Sequence, residues 1–366
     1  MGKPDVFHAV EKVLLATLRP PSLPPRIPRH LPIMILREQH TPSAAGTRLD
    51  RYLLTLYPWL DRSTVDDLIA SGHILLNHRP ARKGAKLAGG DVLDCRNIPE
   101  PVDLRLLPNP DLPLAILYED SSLLALDKPA GLPVHPHRFS ETNTLANALI
   151  ARHPALADIG DNRLFPALVH RIDTQTSGLV LAAKTPAAHA ALRSQFRRLA
   201  VEKHYTALVH GSVDTPGRLD APLTHKTRSP CKMTLAKPDG PDGTGSGFPA
   251  VTAWTPIQTG PVFSLLDVTI FTGVTHQIRC HLAAAGHPIV GDTLYSPDHS
   301  SAPHNPAPWM NHVRSPARNL PLSALPRHWL HASRIRLLHP ATGNFLDITC
   351  PLPPDWPQSP TGLSLG

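Results

Sequence analysis

Three polar stretches interrupt otherwise apolar patterning, and each carries residues able to do chemistry. His170-Arg171-Ile172-Asp173-Thr174-Gln175-Thr176-Ser177-Gly178 is a polar loop that runs straight into Leu179-Val180-Leu181-Ala182. A carboxylate at such a junction can be presented to a cleft while a rigid strand holds it still, as nucleophilic or general-base work requires. Lys203-His204-Tyr205-Thr206-Ala207-Leu208-Val209 puts Tyr205, Ala207 and Val209 on one face if it forms a strand. Gly273-Val274-Thr275-His276-Gln277-Ile278-Arg279-Cys280-His281-Leu282 reads as a strand end, a tight turn at Gly273 and a helix opening near Thr275. Taken singly, each has a plainer explanation. Asp173 can be a turn aspartate bonding its own backbone, Arg171 a surface charge and Tyr205 a half-buried strand residue.

Other chemistries have less support. There is no Gly-x-x-x-x-Gly-Lys, no Gly-x-Gly-x-x-Gly and no His-Glu-x-x-His, so no nucleotide cofactor or zinc-peptidase site is expected. His276, Cys280, His281 and His287 lie close together, and His276 and Cys280, spaced i, i+4, could share a metal. But His287 sits in Gly-His-Pro and no carboxylate or second cysteine joins them, so a helix with two polar histidines is the simpler reading and no metal is expected. The four cysteines, Cys95, Cys231, Cys280 and Cys350, form no Cys-x-x-Cys pair. With the longest early apolar run, Val13–Leu18, too short to span a bilayer, this predicts a cytoplasmic protein away from membranes.

The elements that must position these residues are set out by proline. The chain holds 43 prolines in 366 residues, against about 5 % in ordinary proteins, which excludes a long helical bundle. They cluster in a proline-rich extension over 1–46 (with a short helix expected over Val6–Leu18), a linker over 99–113, an insertion over 300–326 and a tail over 351–366. Asp239–Gly247 reads as a flexible loop. Two patterned blocks remain. In 47–98 a short helix starts at Arg48, and a second, capped by Ser63, ends at Gly72. A strand Ile74–Asn77, a basic turn and a strand at Asp91–Leu93 follow. In 114–350 short β-runs cluster at Ala115–Tyr118, Leu123–Leu126, Gly178–Ala182, Tyr205–Val209, Phe263–Ile270 and Ser333–Leu338. One helix opens at Thr185-Pro186 with an apolar stripe of Ala188, Leu192, Phe196 and Leu199. Clustered strands with few helices predict an α+β fold with a central mixed or antiparallel sheet. The net charge of +7 favours a polyanionic partner without naming one. Its excess lies before residue 99 and after residue 298, away from the three polar stretches.

Together these segments resemble the RluA-type pseudouridine synthases. His170-Arg171-Ile172-Asp173-x-x-Thr176-Ser177-Gly178-Leu179 is similar to the family's His-Arg-Leu-Asp-x-x-Thr-Ser-Gly-Leu signature. Asp127-Lys128-Pro129-x-Gly131-x-x-Val134-His135-Pro136, Lys203-x-Tyr205-x-Ala207 and Thr272-Gly273-Val274-Thr275-His276-Gln277-Ile278-Arg279 with Gly286-His287-Pro288 and Gly291-Asp292 match further motifs in order. Leu330-His331-Ala332 and His339-Pro340-x-Thr342-Gly343 match the last. Val274 stands where the family usually has arginine, and Ser296 replaces a frequent glycine after Tyr295. The block 47–98 resembles a small α/β S4 RNA-binding domain.

The resemblance implies a pseudouridine synthase fold and isomerisation of uridine to pseudouridine in structured RNA, without a cofactor. It implies that Asp173 is the essential carboxylate, attacking the ribose or promoting loss of a ribose proton. Arg279 is its ion-pair partner, because a carboxylate shut away from water needs a cation to stay ionised. Tyr205 packs against the uracil and can act in proton transfer at C5, and Ile278 is an apolar wall. His170 and Thr176 line the substrate pocket. Arg171 fills the gap left by the flipped base. Arg51, Arg62, Arg79, Arg82, Lys83 and Lys86 grip the RNA backbone. The layout is closest to the group acting on large-subunit ribosomal RNA, with transfer RNA as the alternative, and a monomer is expected. A catalytically idle RNA-binding or assembly factor would keep the fold, but Asp173, Tyr205 and Arg279 are all present.

Overall fold

The structure, a computed structural model, describes residues 37–40, 46–100, 105–139, 141–226, 229–236, 247–296 and 327–356. The expected helix over Val6–Leu18, nearly all of the loop over 239–247 and the whole insertion over 300–326 lie outside the described residues. The chain divides into two compact units, Met1–Pro99 and Glu100–Gly366.

The first unit holds α1 (Leu49–Leu56), α2 (Arg62–Ala70) and an antiparallel sheet in the order β1 (Arg37–His40), β4 (Leu93–Arg96), β2 (Ile74–Leu76), β3 (Arg79–Pro80). Leu49 and Leu53 of α1, Val65 of α2, Ile74 of β2 and Leu93 of β4 are all buried. Helix α2 stops where expected, at Gly72 in the left-handed region, φ +75°. It starts earlier than expected. Asp61, not Ser63, is the cap, its carboxylate accepting the Thr64 N–H at 2.7 Å. The sheet also reaches back into the stretch expected to be an extension, because Arg37–His40 pairs with Arg96–Leu93. The sequence Arg-Glu-Gln-His has no apolar alternation to announce a strand.

The second unit is built on a nine-stranded sheet. Its order is β5 (Ala115–Glu119), β6 (Leu123–Lys128), β7 (Ser177–Ala183), β14 (Leu330–Leu338), β8 (Glu202–His210), β13 (Phe263–Ile270), β12 (Val251–Thr259), β9 (Gly217–Asp220), and β15 (Phe345–Thr349) pairs with β14. Within it only β7 and β14 run parallel among the described residues, so the sheet is mixed as expected. A separate hairpin is formed by β10 (Leu223–Lys226) and β11 (Ser229–Leu235). The helices are α3 (Leu145–Arg152), α4 (Pro186–Arg197) and α5 (Gln277–Ala284). Thr185 caps α4 with Pro186 in the first turn, as the sequence requires. The expected stripe is one residue too long: Leu199 lies past the helix end, at φ +56° and 47 % exposed.

Two proline-rich stretches are less loose than expected. Leu106, inside the predicted linker, is buried in the core of the second unit, and the Asn109 N–H donates to the Asn147 carbonyl at 3.1 Å. In the predicted tail, Trp356 is buried edge-on against Trp329 and Asp355 pairs with Arg327. Proline fixes φ and so suits extended chain that packs without a ladder as well as chain that does not pack.

The pairing register lines up one row across five strands: Lys128, Gly178, Ala332, Tyr205 and Val268. Gly178 has φ +106°, and a Cβ there would stand 2.3 Å from the Ala332 carbonyl oxygen. Only glycine lets β7 and β14 approach this closely. Gly178→Ala is expected to lower unfolding stability by at least about 2 kcal/mol in urea titrations, from the clash and the backbone strain together.

Candidate active site

The loop before β7 and the first turn of α5 meet through one ion pair. Arg279 Nη1 donates to Asp173 Oδ2 at 2.8 Å, across 106 residues of sequence. Its Nε and Nη2 donate to Asp292 Oδ2 and Oδ1 at 2.7 and 3.0 Å. The guanidinium is therefore shared by two carboxylates, a use of its planar fork that lysine could not copy. Burial opposes the charge on Arg279, but the two carboxylates outweigh it and raise its pKa further. Burial likewise works against ionised Asp292, and the Arg279 guanidinium more than reverses this, holding the carboxyl below its ordinary range. Asp292 also accepts the Leu294 and Tyr295 N–H groups. Asp173 is the more open carboxylate, and its Oδ1 has no hydrogen bond among the described residues.

Local sequence explains how Arg279 is aimed. Gln277 takes the Thr272 hydroxyl and the Val274 N–H on its Oε1 and donates to the Val251 carbonyl. That side chain fastens the turn, and α5 opens at Gln277 rather than near Thr275. His276 takes the left-handed position before it at φ +55°. Val274, in the place of an expected arginine, packs against the Leu223, Met233, Ala250 and Cys280 cluster.

The Asp173 loop is held from several sides. The fully buried Lys128 ammonium donates to the carbonyls of Pro129, Leu132 and Thr174 at 2.7, 2.7 and 3.0 Å. Burial draws its pKa down to about 7, Asp173 pulling the other way, and three carbonyls match the three N–H groups of the charged form. The Thr176 hydroxyl meets His328 Nε2 at 2.8 Å, and Ser177 Oγ meets His331 Nδ1 and Arg327 Nη1 at 2.9 and 3.0 Å. On β8, Lys203 donates to the Phe271 and Thr272 carbonyls, tying that strand to the turn before α5. Two residues on, Tyr205 is buried, and burial with the charge of Asp173 raises its phenol pKa, so it stays protonated at neutral pH.

Of the expected site residues, Asp173, Arg279 and Tyr205 come together, and Ile278 lies in the same buried cluster as Tyr205. Arg171 is exposed and has no ion pair among the described residues. Two residues expected at the substrate pocket have partners within the protein. His170 Nε2 accepts the Leu181 N–H at 3.0 Å, its ring stacks on Phe196, and burial takes its pKa down to about 3. Thr176 is buried and its hydroxyl is spent on His328. Both residues hold the loop. Asp292, Lys128 and His328 were not singled out from sequence, although the first two stand inside matched motifs.

In the first unit Arg51, Arg62, Arg79, Arg82, Lys83 and Lys86 are all exposed. Lys83 pairs with Asp66 at 2.7 Å, and Arg62 stands 3.8 Å from Asp50, which Arg48 holds through two bonds. Arg48, Arg51 and Arg62 line one basin around Asp50. The histidines that could have shared a metal are spent elsewhere: His281 on Thr252 and the Ala221 carbonyl, His287 on the His210 carbonyl, His276 on Tyr295. No group of three or more possible ligands exists among the described residues.

Asp292→Asn keeps the shape and leaves Arg279 a single carboxylate. It is expected to cost about 3 kcal/mol in urea unfolding, the range for breaking a buried pair.

The RNA pseudouridylate synthase pattern matches residues 122–284 and the S4 domain pattern matches residues 47–93. A protein of Xanthomonas campestris pv. campestris named ribosomal large subunit pseudouridine synthase D is 36 % identical over 87 % of this chain and 90 % of its own. One of Neisseria meningitidis serogroup A with the same name is 33 % identical over 85 % of this chain and 77 % of its own. An uncharacterized RNA pseudouridine synthase of Chloroflexus aurantiacus is 37 % identical over 86 % and 89 %. The chain belongs to the RNA pseudouridylate synthase family, an enzyme that isomerises uridine in RNA, with an S4 domain ahead of its catalytic unit.

Proposed function

We propose that the substrate is large-subunit ribosomal RNA and that Asp173 is the essential carboxylate. The observation that carries the second part is its setting. Oδ2 accepts from a guanidinium that Asp292 also holds, Oδ1 has no hydrogen bond among the described residues, and the buried phenol of Tyr205 feels the charge of Asp173. The relatives from Xanthomonas and Neisseria carry the first part through their names.

The reaction balances within the nucleotide. The C1′–N1 bond breaks, the uracil turns, a C1′–C5 bond forms, and the proton lost from C5 is matched by one gained at N1. No electrons enter or leave, so the work falls on placed charges. A uridine stacked in RNA must first be flipped out, at a cost of a few kcal/mol. Arg171, exposed two residues from Asp173, is placed to stack in the gap. Tyr205 is a neutral wall for the uracil, able to donate a hydrogen bond but opposed to losing its proton. Ile278 completes the apolar side. Arg51, Arg62, Arg79, Arg82, Lys83 and Lys86 supply phosphate contacts that position the RNA without reading its sequence. Ribosomal RNA as substrate puts the work in the cytoplasm, and no helix of the described residues is long and apolar enough to cross a membrane.

Asp173→Asn is expected to abolish tritium release from 5-³H-uridine ribosomal RNA while RNA binding persists; substantial release would overturn the role of Asp173. Pseudouridine maps of cellular RNA with and without the gene should differ in large-subunit ribosomal RNA. A difference confined to transfer RNA would overturn that target.

A further inference from the structure

Among the described residues, the His276 ring reaches from the α5 turn toward Asp173. Its Nδ1 lies 3.0 Å from the Tyr295 hydroxyl, with the two rings edge to face. That hydroxyl already accepts the Met233 N–H at 2.8 Å. A phenol oxygen that accepts one N–H still has its own hydrogen to give, and Nδ1 is the acceptor in reach. The hydroxyl therefore donates to Nδ1, and the imidazole hydrogen is left on Nε2. Nε2 stands 3.9 Å from Asp173 Oδ2, the same oxygen that Arg279 holds at 2.8 Å. The charged groups facing the ring are Asp173, Asp292, Arg279 and Arg171. Burial is the strongest influence and lowers the pKa of His276, so the neutral ring is favoured against the pull of the two carboxylates.

A distance of 3.9 Å is too long for a hydrogen bond, but a small closure makes it one, and such contacts commonly tighten only when substrate is bound. The torsion about the Asp173 Cβ–Cγ bond is soft and roughly two-fold. One donor on Oδ2 leaves the carboxylate free to rock; two donors on the same oxygen stop it. We propose that His276 is a positioning residue, fixed by Tyr295 with its hydrogen on Nε2, which closes on Asp173 Oδ2 when RNA fills the site and leaves Oδ1 aimed at the ribose. The proposal rests on Asp173 as the reacting carboxylate.

The test compares full-length wild type, His276→Asn, His276→Gln, Tyr295→Phe and Asp173→Asn on 5-³H-uridine large-subunit ribosomal RNA, measuring single-turnover rate and RNA affinity separately. Asparagine suits φ +55° and reaches only where Nδ1 stood, so its loss is not backbone strain. Glutamine extends an N–H to where Nε2 stood. His276→Asn should be about a hundredfold slower, the usual cost of a misplaced reacting group, with RNA affinity unchanged. His276→Gln should recover most of that loss, and Tyr295→Phe should be slowed as well. His276→Asn as fast as wild type, or Asn and Gln variants equally slow, would overturn the proposal. Activity in Asp173→Asn would instead overturn the role of Asp173, so the two failures are told apart.

Discussion

A guanidinium taken out of water has to be neutralised, and Arg279 meets that demand twice over. Asp292 occupies one edge of its fork and Asp173 a single nitrogen of the other. Because Asp292 cancels the cation, the trio keeps one net negative charge, on the more open of the two carboxylates. A simple Arg–Asp pair would have quenched Asp173. Such an arrangement is poor at stabilising a fold, since apolar residues of similar volume often do as well. Its value lies in tethering the Asp173 loop to the first turn of α5.

The surrounding architecture follows from bringing that trio together over long stretches of chain. The Asp173 loop is gripped by Lys128 from β6 and by His328, His331 and Arg327 from the segment that starts β14. Gln277 fastens the turn that aims α5, and Lys203 on β8 braces the same turn from below. Each of these buried polar groups is answered by backbone carbonyls or by another side chain, which is the condition for a polar network to rigidify a site.

The central residues were legible because their spacing along the chain is distinctive. Asp173, Tyr205 and Arg279 stand in ordered motifs, and the junction of polar loop and apolar strand at Gly178 was plain. So were Thr185-Pro186 as a helix start and Gly72 as a helix stop, both local rules of the backbone. Residues whose task depends on distant partners were not. His170 reads as a substrate contact until Phe196 and the Leu181 N–H are seen to claim it. Asp61 and Ser63 are both good caps, and only the path of the chain chooses between them. Leu106 and Trp356 sit among prolines that suggest loose chain, yet each finds a core built from residues far away. The strand at Arg37–His40 has no pattern of its own and owes its existence to β4.

The place of β14 bears on when the enzyme comes into being. This strand, made after all but one of the others, lies between β7 and β8, and its Ala332 touches Gly178 on one side and Tyr205 on the other. The half of the sheet that carries the Asp173 loop and the half that carries Tyr205 therefore have no shared ladder until Leu330–Leu338 has been synthesised. A nascent chain leaving the ribosome can form the S4 domain early, since its contacts are local, and so can acquire affinity for RNA long before it can act on it. The catalytic unit waits for its last long strand, and contacts spanning more than 150 residues make that closure slow. Binding and chemistry are thus separated in the birth order of the chain as well as in its two units.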